Sequence, residues 1–142
     1  MQPEYIFLAV WFVGVISIST ICLINGRESL KKFPKLNESE FEYIENWASG
    51  KTEMGGAENV LQIRVTKNQL WLKTNTFMAS IAEQFGLLHL IPIESLKLVE
   101  SDGKKINIEF KKNGRSNKIV LISRRKSDLI KLLNDKMDKK NS

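Results

Sequence analysis

The chain has 142 residues and a formal charge of +6, with 22 Lys and Arg against 16 Asp and Glu. One cysteine and one histidine exclude a disulfide within the chain and a structural zinc site, which takes about four Cys or His ligands. Outside an apolar N-terminal run, roughly a hundred residues remain, enough for one domain core and not two.

That run, Tyr5–Ile24, is uncharged. About twenty such residues in a helix cross a hydrocarbon core of about 30 Å. Ser17, Ser19 and Thr20 are tolerable inside it because a hydroxyl can bond back to the preceding turn. Tyr5 suits an interfacial position, and Ser17, Thr20 and Cys22 would permit close approach of a second helix. A cleaved signal peptide is the competing reading, but Met1–Glu4 has no basic residue and no small-x-small site follows. Arg27, Lys31, Lys32 and Lys35 come directly after the run. By the positive-inside rule they stay cytoplasmic and the N-terminus is translocated. The expected organisation is a translocated N-terminus at 1–4, a transmembrane helix at 5–25, a basic-then-acidic juxtamembrane linker at 26–40, a domain at 41–138 and a tail at 139–142.

In the linker, Leu30, Phe33 and Leu36 have helical spacing, which suits either a turn or two lying along the interface before Pro34 or a solvated tether. Glu38, Glu40, Glu42 and Glu45 read as a solvated acidic stretch rather than a cation site. The period then changes to two, with Phe41, Tyr43 and Trp47 on one side of an extended chain. Gly50, Gly55 and Gly56 mark Lys51–Asn59 as a loop. Val60–Thr66 and Gln69–Thr74 alternate on either side of Lys67-Asn68 and predict a hairpin.

Thr76–Gly86 is either a short helix, with Phe77, Met78, Ile81 and Phe85 on one face and Thr76 as N-cap, or a loop with apolar tips. Leu87–Ile93 is a buried run. Leu96–Val99, Ile106–Phe110 and Ile119–Ile122 are strands joined by turns at Asp102-Gly103 and Asn113-Gly114. Leu129, Ile130, Leu133 and Met137 then form the stripe of a helix starting after Ser127-Asp128. The fold class is therefore α+β, mainly β: about six or seven antiparallel strands closed by one C-terminal helix.

The segments VTKNQLWL (Val65–Leu72), IPIESLKLV (Ile91–Val99), Ile106–Phe110 and IVLI (Ile119–Ile122), followed by the final helix, resemble pleckstrin-homology-like (PH-like) and GRAM-like domains. The resemblance implies an antiparallel β-sandwich or barrel with a C-terminal capping helix. A single span followed by GRESLKKF also resembles uncharacterised bacterial membrane-anchored proteins with this domain, which implies a single-pass protein of the bacterial inner membrane with a cytoplasmic domain. Phosphoinositide-binding members carry several basic residues on the first two strands and the loop between them. Here Lys51 faces Glu53 and Glu58, and the next strand adds only Arg64, so the resemblance extends to the fold and not to that pocket.

No motif assembles a nucleophile, a base and oxyanion donors. His89 lies among apolar neighbours without a partner at a telling spacing, and Gly55-Gly56 lacks the context of a phosphate loop. A non-enzymatic protein without a cofactor is expected. Residues 101–142 hold thirteen Lys and Arg against five Asp and Glu. Lys111, Lys112, Arg115, Lys118, Arg124, Arg125 and Lys126, with the collar Arg27, Lys31, Lys32 and Lys35, are the candidates for contact with anionic headgroups. Phe77, Met78, Ile81 and Phe85 are the apolar contact candidates, either core or exposed. Nucleic acid is not expected, for want of a binding motif. Two functions fit: a membrane-anchored scaffolding module that recruits a protein or docks on anionic lipid, or a small accessory subunit of a larger membrane complex.

Overall fold

Pro3, whose fixed φ suits the first turn of a helix, opens α1 (Pro3–Leu30) in a computed structural model that describes residues 2–140. Met1 of the expected N-terminus and residues 141–142 of the expected tail lie outside the described residues. At 28 residues, α1 is about 42 Å long and continues past the apolar run. Ser17 and Thr20 donate to the carbonyls of Val13 and Ile16, both at 2.8 Å, so their hydroxyls are satisfied within the helix. Among the described residues, nothing covers the apolar stretch of α1.

The domain is one seven-stranded antiparallel sheet. In chain order its elements are β1 (Tyr43–Thr52), β2 (Gly55–Val65), β3 (Gln69–Lys73), α2 (Thr76–Gln84), β4 (His89–Pro92), β5 (Leu96–Asp102), β6 (Lys105–Lys112), β7 (Arg115–Ile122) and α3 (Lys126–Lys140). The strand order is β4-β3-β2-β1-β7-β6-β5. Leu61, Ile63, Leu70 and Leu72 from one half and Ile106, Ile108, Phe110, Ile119 and Leu121 from the other share a single core with Leu129 and Leu133 of α3. The period-two runs thus become strands because one face of each is withdrawn from water, at about 25 cal/mol per Å².

The hairpin β2–β3 forms as expected, with Val65 paired to Leu70 and Ile63 to Leu72. Asn113 and Gly114 both have positive φ, 53° and 77°, the geometry that the tight β6–β7 turn requires.

Several expectations are corrected. Lys51–Asn59 is not a loop: β1 and β2 run on to a two-residue turn at Glu53-Met54, with Thr52 paired to Gly55. Tyr43 and Trp47 do not share a face. A β-bulge between Glu45 and Ala48, with Trp47 at φ 67°, shifts the alternation by one residue. Tyr43, Glu45 and Ala48 therefore point inward, while Trp47 is 63% exposed. Glu45 is consequently not part of a solvated acidic stretch. It accepts bonds from Tyr43 Oη at 3.1 Å, Ser123 Oγ at 2.8 Å and the Arg125 amide at 3.1 Å, tying β1 to the β7–α3 corner. Burial, chiefly, pushes the Tyr43 phenol up to about 12.

The α3 helix begins at Lys126, before Ser127-Asp128, and Asp128 pairs instead with Arg125. Thr76–Gly86 resolves in favour of the helix, but the N-cap is Asn75, whose side chain accepts the Met78 amide at 2.9 Å. Phe33 is buried rather than lying along an interface. Its ring centroid is 5.6 Å from that of Trp71, and Phe41 sits edge-on to the same indole at 5.0 Å. These two rings cover the outer face of β3, which is why Leu70, Trp71 and Leu72 are all buried.

Candidate functional site

The sheet has two unlike ends. One carries α3, the β2–β3 turn and the β5–β6 turn: Lys136 bonds the Lys67 carbonyl, and Lys126 bonds that of Gly103. The other end carries the β1–β2 turn, α2 and the β6–β7 turn, and α1 joins the domain there. This second end is the candidate functional rim.

Gly26 makes the junction. A Cβ placed on it would stand 1.7 Å from the Thr76 carbonyl oxygen and 3.5 Å from Ala79 Cβ. Only a residue without a side chain lets the two backbones come this close. The N-terminal turn of α2 is thereby held against α1 one residue beyond the expected span at 5–25. At the other end of α2, Thr52 Oγ1 donates to the Phe85 carbonyl, which binds the β1–β2 turn to the same rim.

The four apolar candidates separate. Phe77 is 43% exposed, whereas Met78 and Ile81 are half-buried and Phe85 packs on the core. Met54, at the tip of the β1–β2 turn, is 69% exposed. The sequence pattern does not single it out, because Gly55 and Gly56 mark the segment as a loop. Gly26 escapes the sequence pattern as well; a small residue just past the span is the available signal.

The basic candidates separate as well. Lys111, Lys112 and Arg115 stand exposed at the β6–β7 turn, with Lys118 further along β7. Arg124, Arg125 and Lys126 lie beyond the opposite end of β7, about 23 Å away by strand rise, and do not join them. In the collar, Arg27, Lys31 and Lys35 are exposed, and Lys31 pairs with Glu28 at 2.6 Å. Lys32 is exposed as well, but its Nζ reaches back to donate to the Leu88 carbonyl at 2.9 Å and lies 5.7 Å from the Phe33 ring centroid. Burial, more than the nearby Lys112, lowers its pKa, with Glu83 opposing.

His89 lies between these groups. Its Nε2 is 2.7 Å from the Gly86 carbonyl, its ring meets Phe110 edge-on at 5.0 Å, and its Nδ1 is buried without a partner. Burial, aided by Lys112 and Lys32, holds its pKa down at about 4, so the ring is neutral at pH 7. It lines a cleft of about 290 Å³ with Thr52, Glu53, Met54, Asn117 and Lys118. Glu53 lines this cleft as well as Lys118, and Nδ1 is closed to solvent, so the cleft is poorly suited to phosphates.

No protein-family model and no curated protein matches the sequence. Solved structures do match in fold. The DH/PH domains of p115-RhoGEF superpose with a TM-score of 0.54 at 13% identity, over 82% of this chain and 37% of that one. The PDZ-RhoGEF DH/PH domains in complex with GTP-gamma-S activated RhoA give 0.52 at 12% identity, over 84% of this chain and 40% of that one. The PH domain from TgAPH gives 0.45 at 11%. This chain thus spans about two fifths of the length of the two DH/PH structures. The first two matches show a PH-like fold; at such identities they show the fold alone.

Proposed function

We propose that this chain is a membrane-anchored, non-enzymatic binding module. α1 spans the bilayer with its N-terminus translocated, and the PH-like domain sits at the cytoplasmic face, as the resemblance to bacterial membrane-anchored proteins implies for an inner membrane. The observation that carries the reading is the division within α1. Its apolar residues are left bare, while the next turn is packed into the domain at Gly26. A bare, uncharged and mostly apolar run of twenty residues is unfavourable in water and favourable in a bilayer.

The rim cations Lys111, Lys112 and Arg115 then face anionic headgroups, at about 1 kcal/mol each close to the surface. Arg124 and Arg125, with Trp47 and Ile122 exposed on the outer surface of the sheet, remain for a protein partner. Tethering raises the local concentration, so modest intrinsic affinity suffices. Recruitment of a partner thereby fits the outward surface better than lipid binding does.

Alkaline extraction and protease accessibility test the anchor. In inverted membrane vesicles the full chain should stay in the pellet and lose a C-terminal epitope to added protease, while an N-terminal epitope is protected. Release by alkali, or a protected C-terminus, overturns the reading. Cross-linking in the same vesicles should then capture one reproducible protein through lysines at the α3 end.

A further inference from the structure

We propose that α2 is an interfacial helix, with Phe77 entering the boundary between headgroups and acyl chains of the bilayer that holds α1. The proposal rests on the anchoring of α1 and adds a second, monotopic contact made by the domain itself.

Gly26 follows the last residue of the span at 5–25, a rise of about 1.5 Å along the helix axis. The Thr76 carbonyl oxygen lies against Gly26 so closely that no side chain fits between them, and Phe77 is the next residue. The first turn of α2 is therefore at the depth where hydrocarbon gives way to headgroups, the layer into which interfacial helices bury their apolar faces by about 5–10 Å. Phe77 is 43% exposed there. A large apolar side chain half open to water at that level gains by entering the lipid.

Charge selects the same surface. The exposed cations Lys111, Lys112 and Arg115, with Lys31 paired to Glu28, belong to the end of the domain that α1 enters, and the cytoplasmic leaflet is the anionic one. Gly26 makes the arrangement rigid. A domain on a loose tether would tumble, but the Gly26–Thr76 contact, the Lys32 bond to the Leu88 carbonyl and the burial of Phe33 against Trp71 hold α1 to the domain at several points. The consequence is a set orientation, with α3 and the β2–β3 turn held away from the bilayer.

Depth-resolved quenching on the full chain tests this. In a Cys22→Ala background, single cysteines at Ile18→Cys, Phe77→Cys and Asp102→Cys carry an environment-sensitive fluorophore. The chain is reconstituted in vesicles of about two parts phosphatidylcholine to one part phosphatidylserine. A nitroxide near the headgroup should quench the label at position 77 more than a nitroxide deep in the acyl chain, and at least about threefold more than it quenches the label at 102. The deep nitroxide should quench position 18. Position 18 quenched with 77 indistinguishable from 102 overturns the interfacial helix and spares the anchor. Position 18 unquenched overturns both. Because Phe77→Cys alters the contact itself, the unsubstituted chain provides a second reading. A phosphatidylserine with a photoactivatable group near the top of its acyl chain should attach to peptides spanning 74–84 as well as to α1. Attachment to α1 alone overturns the proposal.

Discussion

Gly26 and Thr76 are in backbone contact: the space where a Cβ would stand on the first is filled, at 1.7 Å, by the carbonyl oxygen of the second. The obstructing atom belongs to the backbone and has no rotamer by which to withdraw. Gly26→Ala should therefore force α1 and α2 apart and cost roughly 1–3 kcal/mol. Urea unfolding of the domain in detergent checks the loss, and faster hydrogen exchange in α2 checks its place. Unchanged stability would mean that the two helices do not touch in solution.

Glu45 is 6% exposed and takes three hydrogen bonds, from Tyr43, Ser123 and the Arg125 amide. Glu45→Ala removes the acceptor these donors share, leaving Ser123 Oγ alone to serve Tyr43 Oη at 3.3 Å and the Arg125 amide at 3.1 Å, and opens space beside Tyr43, so a loss of about 1–3 kcal/mol is expected. Glu45→Gln keeps an acceptor and should lose less. Equal losses would show that volume rather than hydrogen bonding matters at this corner.

His89 gives the fold a dependence on pH. Its folded pKa, about 4, lies below the ordinary 6.5, chiefly because burial disfavours the charged ring. Between those values the unfolded chain binds the proton and the native one does not, so stability is full above pH 6.5 and falls as pH drops toward 4. From pH 6.5 to 5 this amounts to about 2 kcal/mol, before most carboxylates titrate. His89→Gln should flatten that interval in denaturant midpoints measured against pH. A wild type already flat there would contradict a buried neutral ring.

The segment after α1 is part of the core, and a double-mutant cycle measures how much. Trp71→Ala should cost about 3–5 kcal/mol. Phe33→Ala should cost less, since Phe41 still covers part of the indole. The two rings, at 5.6 Å, should couple by about 0.5–1.5 kcal/mol beyond additivity. Zero coupling would return Phe33 to a solvated tether.

Local periodicity carries far in this chain because most strands here obey it. The β2–β3 hairpin, the β6–β7 turn at Asn113-Gly114 and α3 are legible from alternation, turn dipeptides and an amphipathic stripe. Regular alternation fails at β1, where one extra residue at the bulge puts Glu45 inside and Trp47 outside. Nothing in the composition of that stretch marks the slip. Trp71 fails for another reason: as the outward residue of β3 it alternates as a surface residue should, yet it is buried by rings far from it in sequence.

The candidate surface was legible only as residue types. Seven lysines and arginines between 111 and 126 look like one basic face in a linear reading, but β7 runs between the two groups and separates them by its length. The helical stripe of Phe77, Met78, Ile81 and Phe85 is real, yet how each is shared between core and surface depends on what α2 packs against.

The amino-acid sequence by itself determined the uncharged run of α1, the succession of strands and the closing helix, because these follow from the period of apolar residues along the chain. Only the tertiary structure decided that α1 is fastened to the domain at Gly26, that Phe33 belongs to the core, and that the cations form two groups. Those are contacts between segments distant in sequence, fixed by steric fit and strand length, and neither quantity is written in local periodicity.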